Sequence, residues 1–468
     1  MLIPIYTWTK GVRNMDLRRR AFIKQPWAQG VILLTCVIIA MLLANLPFTR
    51  DIYHNVLETN VSIFFKSPDG SGIFFPRGMT VESFINDILM TVFFFSVGLE
   101  IRREMKVGEL SSVKKALLPV IAAFGGVVMP ALIFSCINHG TAAASGWGIP
   151  TATDIAFAVG ILSILGDRVP VSLKVFLTAL AIADDLIAIL VVALFYGGKI
   201  NFLLLGIAVV LVAFVVLLNK LGEKRMWCYL VPAFVIWSLF YYAGIHSTMS
   251  GVVMAFLVPM APRFPEAYFF RKEKQYLRRI KEYFGIASTS DGFPNGPQRH
   301  CLRRLSVISR GSMGMSYRLE HALEPWVNFL IMPVFALANA GVVIPDLSYF
   351  NVFNFNAAMG SVGMGIFLGL LIGKPLGISL ASFLAIKLHA GEMPSGASWK
   401  MLIAVACLGG IGFTMSVFVD TLSFGDQTPE VMAHLRDMGK VAVLMGSLSA
   451  GILGSILINI VHKVENHG

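Results

Sequence analysis

Two stretches, Thr151-Ala-Thr-Asp-Ile-Ala-Phe-Ala and Ala179-Leu-Ala-Ile-Ala-Asp-Asp-Leu-Ile-Ala-Ile-Leu-Val-Val, decide how the chain is read. Each sets aspartate inside a run that is otherwise hydrocarbon: Asp154 in the first, Asp184 and Asp185 in the second. One ionised aspartate at the centre of a spanning helix costs ~2.5–3.5 kcal/mol on insertion scales, so these acids oppose the sequence around them. In a chain with many apolar runs and no cofactor motif, they point first to an ion or proton path.

The rest of the chain fits a membrane setting. Of its 468 residues, 56% are hydrophobic and 14% charged, with mean hydropathy +0.73, which is outside the range of soluble domains. The fold class expected is an all-α polytopic membrane protein. About twelve spans read at roughly 30–47, 84–101, 116–137, 148–166, 171–196, 202–219, 227–244, 247–262, 324–343, 362–387, 400–424 and 438–461. The first lacks a cleavage site for a signal peptide and is read as a retained span.

The formal charge of +11 comes from short cationic clusters between apolar runs. That distribution suits topology and anionic lipid headgroups and gives no nucleic-acid patch. Arg102, Arg103, Lys106, Lys114 and Lys115 follow span two, Arg168 and Lys174 follow span four, and Lys220, Lys224 and Arg225 follow span six. The connections after spans three, seven and nine hold no Lys or Arg, so both termini are expected in the cytoplasm. The organisation expected is a basic N-terminus (1–28), eight spans (29–262), a basic loop (263–318), four spans (319–462) and a tail (463–468).

In the loop, Phe269, Tyr276, Ile280 and Tyr283 recur at helical spacing among Arg271, Lys272, Lys274, Arg278, Arg279 and Lys281. A basic amphipathic helix on the membrane surface and a solvated insert both fit. The loop's centre, Ser288-Thr-Ser-Asp-Gly-Phe-Pro-Asn-Gly-Pro, is disorder-prone. Cys36, Cys136, Cys228, Cys301 and Cys407 are scattered and read as packing residues, with no disulfide framework or zinc site.

Gly148-Ile-Pro-Thr-Ala-Thr-Asp puts a proline and hydroxyls just ahead of Asp154, so span four is expected to break near mid-membrane. Gly409-Gly-Ile-Gly-Phe-Thr-Met-Ser predicts a matching break in span eleven. Paired discontinuous helices point to an ion site near the midplane and make spans three to five and ten to twelve candidate inverted repeats. Half-helix ends need counter-charges. Asp154 suits the positive ends, and Lys374, in Gly373-Lys-Pro-Leu-Gly-Ile, suits the negative ends or pairs with a span-five carboxylate. Asp184, Asp185 and Thr153 offer hard oxygens for a transported sodium ion. Burial and a like-charged neighbour both favour a protonated carboxyl, so the same pair also takes protons.

Ala152-Thr-Asp-Ile-Ala-Phe-Ala, Val169-Pro-Val-Ser-Leu-Lys-Val-Phe-Leu, Ala181-Ile-Ala-Asp-Asp-Leu, Gly373-Lys-Pro-Leu-Gly-Ile and Gly410-Ile-Gly-Phe-Thr-Met-Ser together resemble the bacterial NhaA-type sodium/proton antiporters. The resemblance implies a twelve-helix inner-membrane exchanger, active at alkaline pH and homodimeric, that expels Na+ or Li+ for a larger number of protons without a cofactor. It also implies that Asp184 and Asp185 carry the ion and protons, that Lys374 is a charge compensator or the partner of Asp184, and that Asp87 is a membrane acid on span two. Glu100, Glu104, Glu320 and His321 match a cytoplasmic pH-sensing funnel, and His246 matches a histidine linked to pH response. The sequence departs from the pattern in its long loop before span nine, at Glu324, and at Asp420, an acid where a small neutral residue is expected.

Two other classes draw on the same residues. A sodium-coupled symporter of an organic anion would use the same architecture. An intramembrane aspartyl protease also needs two aspartates, but neither acid lies in Gly-x-Gly-Asp and such an enzyme has no use for Lys374.

Overall fold

The computed structural model describes residues 26–467 except 62, 67–71, 77, 199, 287–295, 345–350, 354, 357–358 and 426. The basic residues ahead of span one and most of the loop's disorder-prone centre lie outside the described residues, as do the side chains of Ile280, Lys281 and Tyr283.

The described chain is almost wholly helical. Span one is Pro26–Asn45, span two Val81–Lys106, span three Val113–Ile137, span five Val171–Phe195, span six Phe202–Lys220, span seven Trp227–Ala243 and span eight Met249–Leu257. Span nine is Met315–Asn339, span ten Val362–Lys387 and span twelve Pro429–His467. Span four divides into Ala142–Thr151 and Ile155–Arg168 with a 41° bend, and span eleven into Trp399–Leu408 and Phe413–Leu422 with a 49° bend. Counting each bent pair once, 10 of these are long and apolar enough to cross a membrane. Spans seven and eight are shorter.

Several boundaries differ from the sequence reading. A two-stranded antiparallel hairpin, β1 (Ile63–Lys66) and β2 (Gly72–Phe75), occupies the connection after span one. Its apolar runs are too short to span and long enough to pair. Span eight stops at Leu257 because Val258 precedes Pro259, which forces its backbone to the extended ψ of 132°. Span nine begins nine residues before the expected 324 and continues through Pro325 by widening into a π turn at Val327–Ile331. Span twelve runs on to His467, since residues 462–467 hold no proline or glycine.

The chain forms two compact units. The first holds spans one, three to five and ten to twelve, with the start of span two and the end of span nine. Leu173, Leu177, Leu402, Val405, Leu408 and Ala450 are among the residues of its apolar core. Spans three and ten touch at glycines: a Cβ on Gly377 would collide with the carbonyl oxygen of Gly125, so any larger residue would push the helices apart.

The second unit holds residues 91–103 of span two, spans six to eight, and the chain up to Val327. Leu99, Ala208, Tyr229, Ile236 and Met254 pack in its core. The Arg102 guanidinium donates to the carbonyls of Ala255 (3.0 Å) and Val258, which places a cation on the partly negative C-terminus of span eight. Two paired helices, Glu266–Ile286 and Gly296–Ser312, fill much of the long loop; the second of them was not foreseen.

Candidate functional site

The site is built inside the first unit, where the two broken spans meet. Ala142–Thr151 winds as a 3-10 helix, residues 152–154 are extended, and a new helix starts at Ile155. Pro150 withholds a backbone donor there, and the carboxyl of Asp154 supplies the next helix with its N-cap by accepting from Phe157 N at 3.2 Å. In span eleven the helix ends at Leu408 and resumes at Phe413. Gly412 leaves the room this needs: a Cβ there would lie 2.9 Å from the carbonyl oxygen of Ala152 and would also strike Ser416 Oγ.

The two interruptions are stitched to each other. Asp154 N donates to Ile411 O at 2.6 Å, and Asp154 Oδ2 accepts from Thr414 N at 3.1 Å and from the Thr414 hydroxyl. One carboxylate therefore faces the partly positive N-termini of both half-helices. The negative end of the first half of span eleven is met from the other side. Its Gly409 carbonyl accepts the Thr153 hydroxyl at 2.8 Å, and that hydroxyl in turn accepts from Lys374 Nζ at 2.8 Å.

Lys374 completes the centre by also donating to Asp184 Oδ2. Lys374 thus contacts both the span-five carboxylate and the hydroxyl that sits on the Gly409 carbonyl. It emerges just after a π turn at Gly369–Gly373, a feature frequent at functional sites and invisible to periodicity. Asp184, Lys374 and Thr153 are fully buried, and Asp154 and Asp185 are 2% exposed. Asp184 keeps one oxygen, Oδ1, without a hydrogen-bond donor among the described residues. The centre therefore sets an unpartnered carboxylate oxygen beside a buried ammonium, and carboxylate oxygen is a donor that suits a hard cation.

Other singled-out residues lie elsewhere. Asp87 sits in a π turn, Ile85–Leu89, of span two. Glu104 belongs to the first unit and accepts from Glu109 N at 3.0 Å. Glu100, Glu320, His321 and His246 belong to the second unit. There Glu320, nearly buried, pairs with Arg103 at 3.1 Å, and the His321 ring lies 4.0 Å from that of Tyr317. His246 precedes span eight, with its carbonyl accepting from Met249 N at 3.1 Å. Two partners in the centre escaped the sequence reading: Thr414, and Ser447, whose hydroxyl accepts Gly412 N at 3.2 Å. Thr414 carried a signal, a hydroxyl just past the glycine break. Ser447, in the middle of span twelve, carried none.

Crossed broken helices around buried, opposed charges define a membrane-embedded ion carrier. The family described as Na+/H+ antiporter 1 matches residues 20–458, and the chain belongs to it. Similar curated proteins include those named Na(+)/H(+) antiporter NhaA from Wolinella succinogenes (39% identical over 94% of this chain and 92% of that protein) and from Acidithiobacillus ferrooxidans (40%, over 92% and 95%). A protein of the same name from Shigella dysenteriae serotype 1 is 38% identical over 92% of this chain and 95% of its own length.

Proposed function

We propose that this chain exchanges cytoplasmic Na+, and Li+ in its place, for external protons through one carboxylate site used by both. The observation that carries this reading is the Lys374–Asp184–Thr153 cluster beside Asp185, sealed from solvent at the meeting of two broken spans. When Lys374 leaves Asp184, the carboxylate oxygens of Asp184 and Asp185 and the Thr153 hydroxyl are the ligands for one desolvated sodium ion. When protons return, each neutralises a carboxylate and the metal loses its ligands. Sodium entry displaces both protons, one from each carboxyl, so a cycle moves net charge. Asp154 holds the half-helix ends in place as occupancy changes and Lys374 compensates charge; neither is a ligand.

The Lys/Arg distribution supports a bacterial inner-membrane location with both termini in the cytoplasm. The end of the first unit that bears Arg168 and Lys174 is then cytoplasmic and the end bearing Tyr196 external. Glu100, Glu104, Glu320, His321 and His246 are proposed as groups through which cytoplasmic pH sets activity. Assembly as a homodimer and contact of the 263–318 loop with anionic lipids belong to the same reading.

The test uses everted membrane vesicles. After a respiratory proton gradient is established, added sodium collapses it if the chain is an exchanger. An unchanged gradient excludes exchange, and dependence of sodium uptake on an organic anion favours the symporter.

A further inference from the structure

Asp420, on the second half of span eleven, has no part in the centre described above, yet it is fully buried, and neither of its carboxyl oxygens has a hydrogen-bond partner among the described residues. A carboxyl in that condition is stabilised by taking up a proton or a cation, because its ionised form alone is costly out of water. Its surroundings are built around it. A Cβ on Gly439 of span twelve would strike Asp420 Oδ1, so the acid lies directly against the backbone of span twelve.

The charges facing it come from that helix: Lys440, Arg436 and Asp437 all act on it electrostatically. Arg436 is engaged elsewhere, donating Nε and Nη2 to Ser423 O at 3.3 and 3.2 Å. Tyr196, at the end of span five, is bonded to Ser423 and senses the Asp420 charge. Glu82 acts on Arg436, and His54 with Glu82 on Asp437, carrying titratable groups further toward the same end of the unit. The other segments packed on this half-helix, Ala142–Thr151 and Met332–Asn339, bear no titratable side chain.

Toward the centre, Ser416 stands one helical turn before Asp420, on the same face. It is fully buried, and its hydroxyl is also without a partner among the described residues. Two residues further back, Thr414 is bonded to Asp154. Thr414, Ser416 and Asp420 are thus buried polar side chains spaced along the half-helix.

We propose that Asp420 is a second proton-binding site of this chain, standing between the external end and the central carboxylates. An O–H bond forms on Asp420 as one breaks on an arriving hydronium ion. The proton then passes by way of the Ser416 hydroxyl and intervening water to the Asp184 carboxylate, and Asp420 regains its charge. This rests on the exchange reading above.

The test reconstitutes full-length protein in phosphatidylethanolamine/phosphatidylglycerol vesicles and measures sodium-driven proton flux against external pH. Asp420→Asn lowers the rate by about a hundredfold, as loss of a proton-transfer group does, and Asp420→Glu restores most of it. Sodium-linked proton release in detergent, which reads the central site, stays at the wild-type value in both. A wild-type rate and pH profile in Asp420→Asn overturns the proposal, as does Asp420→Glu being as slow as Asp420→Asn. Infrared difference spectra across a pH step give a second reading that needs only wild type and Asp420→Glu: a carboxylic-acid C=O band that shifts between them supports titration of this site, and no shift excludes it. If wild-type vesicles move no protons against sodium, the exchange reading fails, while the infrared result still decides whether Asp420 titrates.

Discussion

Asp154 and Thr414 lie 260 residues apart in sequence and share one hydrogen-bonded junction, with Asp154 Oδ2 accepting from both the Thr414 backbone N–H and its hydroxyl. The same carboxylate caps the helix that begins at Ile155, so a single acid ties the two broken spans end to end.

Thr414→Val keeps the backbone donor and removes the hydroxyl. A hydrogen bond to a charged group contributes ~1.5–3 kcal/mol, so thermal unfolding in detergent is expected at a lower temperature and exchange is expected to be slower. Sodium-linked proton release persists, because the carboxylates of span five are untouched. Unchanged melting would show that the hydroxyl contributes nothing to the junction.

Asp184→Asn and Asp185→Asn are expected to abolish sodium-driven collapse of a proton gradient. Calorimetry in two buffers of different ionisation enthalpy checks the cause, since wild type releases protons on binding sodium and the variants do not. Either variant exchanging at the wild-type rate in saturating sodium would remove that residue from the site.

Competition fixes the sign of the pH dependence. Protons and sodium occupy the same oxygens, so the apparent KM for sodium rises as pH falls, by about one decade per pH unit for each proton displaced. Initial rates over a grid of sodium and pH measure this slope. A KM independent of pH is incompatible with a shared site.

Lys374→Ala leaves the fully buried Asp184 without its cation. Removing one partner of a buried pair costs ~3–5 kcal/mol, so stability is expected to drop most at alkaline pH, where the acid is ionised, and to recover as protonation neutralises it. Melting temperature against pH for variant and wild type reads this difference. Equal losses at all pH values would mean that packing, not charge, accounts for the lysine.

Gly377→Ala drives a methyl group into the carbonyl of Gly125. Overpacking of this kind costs ~1–3 kcal/mol, seen as a lower melting temperature with sodium-linked proton release retained in the folded fraction.

What was legible in the sequence can be followed residue by residue. Asp154, Asp184, Asp185 and Lys374 announce themselves because a charge amid hydrocarbon is conspicuous whatever the fold, and both helix breaks are written in Pro150 and Gly409–Gly412. Span ends were less legible. At Pro259 the restriction on the preceding residue ends span eight, while at Pro325 a π turn absorbs a residue that elsewhere ends a helix. Asp420 stood out as an oddity, and nothing local distinguished an interfacial acid from a fully buried one.

The sequence by itself determined that this chain spans a membrane many times and carries acids and a lysine within its spans, because hydropathy and charge are properties of single residues and short windows. Only the tertiary structure decided which polar group meets which: Lys374 on Asp184, Thr153 on Gly409, Asp154 on Thr414. Those pairings depend on where one broken helix crosses another. Helix packing is fixed by contacts such as Gly125 against Gly377, which join residues far apart in the chain and leave no trace in any local pattern.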